Sequence, residues 1–262
     1  MKSVFIIPSD YDPLTWDNFI PDGSGNWYKG DATSNIHLGI NSLKFDFSSP
    51  AKKILILTEP IAVIPNLYSI FTNSDLMNKL DLIGTHHRRF CNGKNVMYIN
   101  PPAPSWIKSP QIYAKSKLCS IIASSKNSAP GHKIRLNLLN NLNGNIDKFG
   151  FGINPIDKKE LGLADYCFSF TIENCSEPGY YTEKILDCFL TGTVPIYWGD
   201  PTIENIFDKN GIIYYNELDY SSITFEKYHS MIQSITSNFF KALEITKKNT
   251  INNSLNDLIL II

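Results

Sequence analysis

Short runs that are apolar at nearly every position recur along this chain: "VFII", "ILIL", "CSII", "YCFSFTI" and "VPIYW". A strand with one face in water alternates apolar and polar residues, so an unbroken run marks a strand covered on both faces. Helix-like stretches lie between the runs. "APGHKIRLNLLNNL" sets Ile134, Leu138, Leu139 and Leu142 on one face, "YTEKILDCFLTG" follows the same period, and "TFEKYHSMIQSITSNFFKALEITKK" reads as one long amphipathic helix. Strands buried on both faces and alternating with helices imply parallel sheets with helices on both sides. One stretch interrupts the alternation: "PPAPSWIKSP", with four prolines between Pro101 and Pro110. In 262 residues this break predicts two α/β domains, over 1–110 and 111–262.

The remaining elements follow the same logic. "KSVFIIP" is an opening strand, and "SDYDPLTWDNFIPDGSGNWYKGD" a structured loop rich in turn formers and aromatics. "KKILILTEP" is the clearest strand of the first half and stops at Thr58-Glu59-Pro60; a helix is expected around "LYSIFTNSDLMNKL". "DLIGTHHRRF" reads as a short strand with its loop, and "KNVMYINPP" as another strand. Past the break, "GNIDKFG" and "GIIYY" are strands, and "DPTIENIF" a helix capped by Asp200 with Pro201 at its first position.

Composition excludes several classes. A net charge of −1 gives no electrostatic basis for non-specific nucleic-acid or membrane binding. The five cysteines contain no CxxC pair, so a zinc or thiol-redox motif is not expected, and an odd count without a framework suits a reducing compartment. "MKSVFIIPSDYDP" is too short in its apolar part for a signal peptide, and no apolar run reaches the roughly 18–20 residues of a membrane span. The expectation is a cytoplasmic protein without a transmembrane anchor.

Open parallel sheets bind ligands just past the carboxyl ends of their strands. After "CSIIA" come Ser124, Ser125, Lys126 and Asn127, then Arg135 inside the next helix; after "FSFTI" come Glu173 and Asn174, then "GYYTEK". The start of the "YTEKILDCFL" helix offers N–H groups and a partial positive charge to a phosphate, Lys184 adds a full charge, and Arg135 a bidentate fork. Such a set favours a diphosphate that gains charge as it leaves a sugar. Glu183 then reads as an acceptor for a ribose diol, and Tyr180 and Tyr181 offer ring faces. Each has a plainer reading alone: Glu183 as a carboxylate on the helix dipole, Lys184 as a solvated helix face, Arg135 as a surface ion pair, the tyrosines as loop packing.

The order of these residues is more telling than any one of them. "FSFTIENCSEPGYYTEKILDCFLTGTVPIYWGDP" resembles the donor-binding signature of the α-1,3/4-fucosyltransferases, glycosyltransferase family ten, which reads F-x-F-E-N-S, a short loop, [D/G]-Y-x-T-E-K, an apolar helix and G-x-[V/I]-P-[V/I]-Y-x-G. "SIIASSKNSAPGHKIRLNLLNNL" and "IDKFG" resemble upstream segments of the same family. The likeness is close from Lys117 to Tyr215 and loose in the first half. Ile172 and Cys175 in "TIENC" depart from the signature.

The resemblance implies an inverting, metal-independent enzyme of the GT-B fold: two Rossmann-like parallel-sheet domains facing a cleft, with a C-terminal helix closing the structure. It implies GDP-fucose as donor and transfer to a glycan hydroxyl, O3 of GlcNAc or Glc, with no cofactor. Arg135 and Lys184 would contact the diphosphate and Glu183 the ribose. Tyr180 would lie beside the donor and Asn174 would help order the site, with Ser124 a further candidate donor contact. The base that inversion requires would be Glu59, in the place of the family's Glu-Ser-Pro motif with the Ser absent; His86 or His87 of "THHRRF" is the second candidate. That loop otherwise reads as a solvated or acceptor-facing patch. Asp12 and Trp16, together with Asp10 and Asp17, are candidate acceptor contacts, and Trp27 and Tyr28 read as core or stacking residues. A different nucleotide sugar, or an inactive glycan-binding relative, remains open at this point. The chain is expected to lack the anchor and stem of Golgi members and the C-terminal repeats of some bacterial ones.

Overall fold

The structure is a computed structural model that describes residues 2–7, 27–99, 105–142 and 146–248. Asp12 and Trp16 lie outside the described residues. The chain divides into two compact units, one holding the described residues up to 99 and one running Ser105–Lys248.

The first unit is a six-stranded sheet of order β2-β1-β3-β4-β5-β6, parallel throughout. Its strands are β1 (Lys2–Ile7), β2 (Trp27–Lys29), β3 (Ile36–Ile40), β4 (Lys52–Leu57), β5 (Leu82–Thr85) and β6 (Val96–Tyr98). In β4, Ile54 and Ile56 enter a cluster with Val4, Leu38 and Leu82, while Leu55 and Leu57 enter another with Ile7, Ile64, Ile70 and Ile83. Successive side chains point to opposite faces, so the "ILIL" run feeds two cores, one on each side of the sheet.

Two expectations for this unit need correction. β2 forms inside the stretch expected to be loop. The helix expected around Leu67–Leu80 is instead α1 (Pro65–Tyr68), a 3-10 turn (Ser69–Thr72) and α2 (Ser74–Met77). Asn73 causes the restart: its backbone is extended, and its side chain accepts the Leu76 N–H at 3.0 Å, which begins a new helix.

The second unit is a five-stranded parallel sheet of order β11-β10-β9-β7-β8. Its elements are β7 (Lys117–Ile122), α3 (Pro130–Asn141), β8 (Ile146–Phe149), β9 (Tyr166–Ile172), α4 (Glu183–Leu190), β10 (Val194–Trp198), β11 (Ile213–Tyr214), α5 (Phe225–Ser230) and α6 (Ile232–Lys248). β9 lies at the centre, buried at all seven positions, with Phe170 opposite Ile196. The connection out of β7 goes to β8 on one side and the next strand, β9, lies on the other. This is the switch point at which open α/β sheets bind ligands.

The single long helix expected after Thr224 is broken at Met231 into α5 and α6, and α6 packs on α4. The helix expected after Asp200 is only a 3-10 turn (Ile203–Asn205). Asp200 Oδ1 accepts both N–H and O–H of Thr202, at 2.7 and 2.6 Å, which closes a tight turn in place of a helix start. Among the described residues no helix is long and apolar enough to cross a membrane.

Candidate active site

The site is built at the carboxyl end of β9. Glu173 extends the pairing of β9 with β10 through its N–H to Trp198 O, 2.8 Å, and its side chain is fully buried. That carboxylate reaches across to the start of α4. It accepts Thr182 N–H at 2.8 Å, the Thr182 hydroxyl at 2.7 Å and Lys184 Nζ at 3.2 Å. Thr182 is the N-cap of α4, accepting Lys184 N–H at 3.4 Å, and its hydroxyl also takes Lys184 Nζ at 2.9 Å. The expected phosphate-ready helix start is thus partly capped by its own threonine, and Lys184 is held between Thr182 and Glu173.

One turn along α4, Glu183 and Asp187 share a face, as residues four apart do. Both grip Lys159, at 3.1 and 2.8 Å, and Asp187 also accepts Ser105 Oγ at 2.7 Å and Trp106 N–H at 3.0 Å. Lys184 lies 3.8 Å from Glu183. The result is a chain of alternating charge: Glu173, Lys184, Glu183, Lys159, Asp187. Burial pushes the Glu183 carboxyl up, but Lys184 and Lys159 outweigh it and hold the group at about 2. Burial pulls the Lys159 ammonium down, while Asp187 and Glu183 raise it further than that. Asp187, almost wholly buried, is pushed up by its desolvation.

α3 closes the other side. Gly131 N–H donates to Asn174 O at 2.9 Å, and a Cβ on Gly131 would come within 1.7 Å of Glu173 O, so the helix can start this close to β9 only with glycine there. This approach delivers Arg135, 5% exposed, whose guanidinium donates to Ile172 O and, at 3.0 Å, to Asn174 Oδ1. Burial lowers the Arg135 pKa. His132 Nδ1 accepts Ala129 N–H at 3.0 Å; burial, then Arg135, Lys126 and Lys184, lower its pKa to about 4, so the ring is neutral.

Arg135, Lys159, Glu183, Lys184 and Asp187 border one cavity of about 320 Å³. Arg135, Lys159, Glu183 and Lys184 make its charged wall; Ile122, Ile156 and Leu163 make an apolar one, with Ser124 beside them. Phe151 also lines it and is 80% exposed. It stands in the turn after β8, at the sheet edge. Gly150 starts that turn at φ 127°, where a Cβ would strike Ala123 O at 1.7 Å.

The structure therefore brings Arg135, Ser124, Glu183 and Lys184 to one cavity, with Asn174 bonded to Arg135. Tyr180 and Tyr181 are 1% and 3% exposed and absent from the cavity lining, so neither offers the open ring face expected of it; Tyr181 packs edge-on against Phe207. Glu59 stands in the first unit, half-buried, just past β4. The solvated reading of "THHRRF" holds only for Arg88 and Arg89. His86 and His87 are 1% and 6% exposed because they continue inward from β5, and His87 packs edge-on against Tyr68 and Phe90.

Lys159, Glu173 as a clamp, and Asp187 were not assigned from the sequence. An acid within the apolar "KILDCFL" helix was a legible sign of a buried partner. Lys159 lies 24 residues before Glu183, in a 3-10 turn (Lys159–Gly162) without a motif of its own.

The family model described as glycosyltransferase family 10 (fucosyltransferase), C-terminal, matches residues 112–251. The chain belongs to glycosyltransferase family 10. Its matched region covers the whole cavity lining. Over 103 residues the chain is 33% identical to the alpha-(1,3)-fucosyltransferase FucT of Helicobacter pylori, which is 38% of this chain and 21% of that protein. Over 93 residues it is 29% identical to alpha-(1,3)-fucosyltransferase B of Drosophila melanogaster, 35% of this chain and 21% of that one. The matches thus span about a fifth of the length of these curated relatives.

Among solved structures, an alpha1,3-fucosyltransferase with GDP superposes at a TM-score of 0.56 with 16% identity, over 96% of this chain and 82% of that one. T4 phage BGT in complex with its UDP-glucose substrate superposes at 0.53 with 9% identity, over 98% and 99%. At these identities the likeness is one of fold, and the fold is GT-B.

Proposed function

We propose that this family 10 chain is an inverting fucosyltransferase that moves fucose from GDP-fucose to a hydroxyl of a glycan, O3 of GlcNAc or glucose, with an α linkage as product. The observation that carries the reading is the meeting of Arg135, Lys159 and Lys184 with Glu183 at one cavity on the switch point, inside the region that matches the family. Three cations fit a diphosphate whose charge grows as the bond to the sugar breaks, and they do the work a metal ion would otherwise do. Clamping by Glu173 and Thr182 fixes Lys184 in advance, so little reorganisation accompanies the charge build-up. Glu183, kept ionised by the flanking lysines, accepts hydrogen bonds from a ribose diol through the oxygen not bonded to Lys159. The exposed Phe151 ring and the apolar wall suit a nucleobase. Glu59 takes the proton of the acceptor hydroxyl as its oxygen attacks the anomeric carbon in line, and GDP departs.

The same fold serves UDP-glucose in the phage enzyme, so the donor needs its own test. GDP release is measured with GDP-fucose and N-acetyllactosamine, with and without EDTA. The expected result is acceptor-dependent release that EDTA does not change. Turnover of UDP-glucose in place of GDP-fucose would contradict the donor assignment, and loss of activity in EDTA the metal-free one.

A further inference from the structure

The end of β4 carries a feature that strand pairing alone does not explain. β3 and β4 pair in parallel up to Ile40 and Ile56, and Asn41 N–H donates to Ile56 O at 2.8 Å. There β3 ends, and Asn41 turns into the left-handed region at φ 48°. It is the sole non-glycine residue with positive φ among the described residues, and asparagine is among the few residues that tolerate the region. Its side chain, 2% exposed, continues the ladder in place of the departed backbone. Oδ1 accepts Thr58 N–H at 2.8 Å and Glu59 N–H at 3.4 Å, and Nδ2 donates to Thr58 Oγ1 at 2.6 Å. From the other side the buried Tyr68 hydroxyl donates to Glu59 O at 3.0 Å. Pro60 follows, and a residue before proline is restricted to extended backbone. Both polar groups of the Glu59 main chain are therefore held by side chains, and its remaining torsion is narrowed by its neighbour.

We propose that Asn41 and Tyr68 are positioning residues that fix the backbone of Glu59 so that its carboxylate meets the acceptor hydroxyl in one geometry. This rests on the reading of Glu59 as the base. Two unrelated elements, the turn after β3 and α1, converge on the main chain of one residue, one on the N–H and the other on the C=O of Glu59. A misplacement of about 1 Å in a reacting group costs on the order of 100-fold in rate, which is what such a clamp prevents.

The test is steady-state kinetics on the full chain with GDP-fucose and N-acetyllactosamine, for Asn41→Gly, Asn41→Asp, Tyr68→Phe, Glu59→Gln and the double variant Asn41→Gly/Glu59→Gln. Glycine accepts φ 48° and removes only the side-chain bonds. Asn41→Gly is expected to lower kcat by roughly 30–100-fold with KM for GDP-fucose changed by less than about threefold. Tyr68→Phe is expected to cost about 3–10-fold in kcat, by loss of one hydrogen bond. Asn41→Asp keeps the acceptor for both N–H groups and should recover most of the rate. The double variant should be no slower than Glu59→Gln alone, because a misplaced base and a missing base fail in the same way. If Glu59→Gln is inactive while Asn41→Gly and Tyr68→Phe turn over at the parent rate, the clamp is wrong and the base stands. If Glu59→Gln retains full rate, the base assignment itself falls, and the clamp with it. Should Asn41→Gly not fold, Tyr68→Phe decides: an unchanged kcat overturns the proposal.

Discussion

The two units share a parallel-sheet plan but carry their chemistry differently. In the second, Arg135 of α3 and Glu183 and Lys184 of α4 are joined by Lys159 from a 3-10 turn, and the clamp residues Glu173 and Thr182 fall with Glu183 and Lys184 in one stretch of sequence, 173–184. In the first, the proposed base is a single carboxylate at the end of β4, supported by residues 18 positions before it and nine after it. A diphosphate is a fixed object with dense charge, and recognising it takes several cations at short range. Proton abstraction takes one group in the right place, so what matters there is the scaffold behind it. The motif-rich half therefore reads in its sequence, and the other half reads in its backbone hydrogen bonds.

This contrast should break cleanly under mutation. The largest effect is expected from Glu59→Gln, a fall in kcat of roughly 10²–10⁴-fold with GDP affinity unchanged. Lys184→Met should instead weaken GDP binding and lower kcat together, since the ammonium serves both the bound and the departing diphosphate. Calorimetric titration with GDP beside initial rates separates the two patterns. Weakened GDP binding in Glu59→Gln would mean the halves are not chemically distinct.

Next in size is a stability effect confined to the second unit. Lys159→Met strips the buried Asp187 carboxylate of its cation, and breaking such a pair costs about 3–5 kcal/mol. Adding Asp187→Asn should restore part of the loss, because the neutral amide needs no counter-charge. Equal thermal midpoints for the parent and Lys159→Met would show that the charge chain adds nothing to the fold.

The smallest expected effect concerns pH. His132 has its folded pKa lowered from 6.5 to about 4, so the unfolded chain binds the proton more readily between those values. Its contribution is complete above about pH 6.5 and is lost as pH falls towards 4, by about 2–3 kcal/mol in total. Glu183, lowered from 4.5 to about 2, loses its share in the next window down. His132→Asn keeps an acceptor for Ala129 N–H and should flatten the thermal midpoint between pH 6.5 and 4 while leaving the lower window. An identical pH slope in both proteins would rule out His132 as the source.

Sequence reading went furthest where one residue type had one physical use. The "ILIL" and "YCFSFTI" runs read as strands covered on both faces, and β4 is buried from its second residue and β9 throughout. Thr182, Glu183 and Lys184 announced a helix start with charge. What escaped depended on distance in space. Lys159 comes from a turn with no pattern, and it entered the site only because Glu183 and Asp187 share a helical face. Arg135 is legible as a candidate diphosphate contact, but its burial is not: Gly131 lets α3 approach until the guanidinium bonds Ile172 and Asn174, which removes the plain reading as a surface ion pair. His86 and His87 looked solvated because a pair of histidines beside two arginines is polar in composition; the inward direction of β5 decided otherwise. Met231 carries no breaker signal, and the interruption between α5 and α6 had no trace in the hydrophobic period.

The central claim is that the cavity beside Glu183 and Lys184 holds a guanosine diphosphate. Thermal unfolding of the full chain with GDP, UDP and CMP, repeated on Lys184→Met, tests it most directly. GDP alone should raise the midpoint, by an increment that grows with concentration as expected for a ligand bound only by the folded state, and Lys184→Met should lose most of it. Equal shifts with all three nucleotides, or a GDP shift that survives Lys184→Met, would contradict the account.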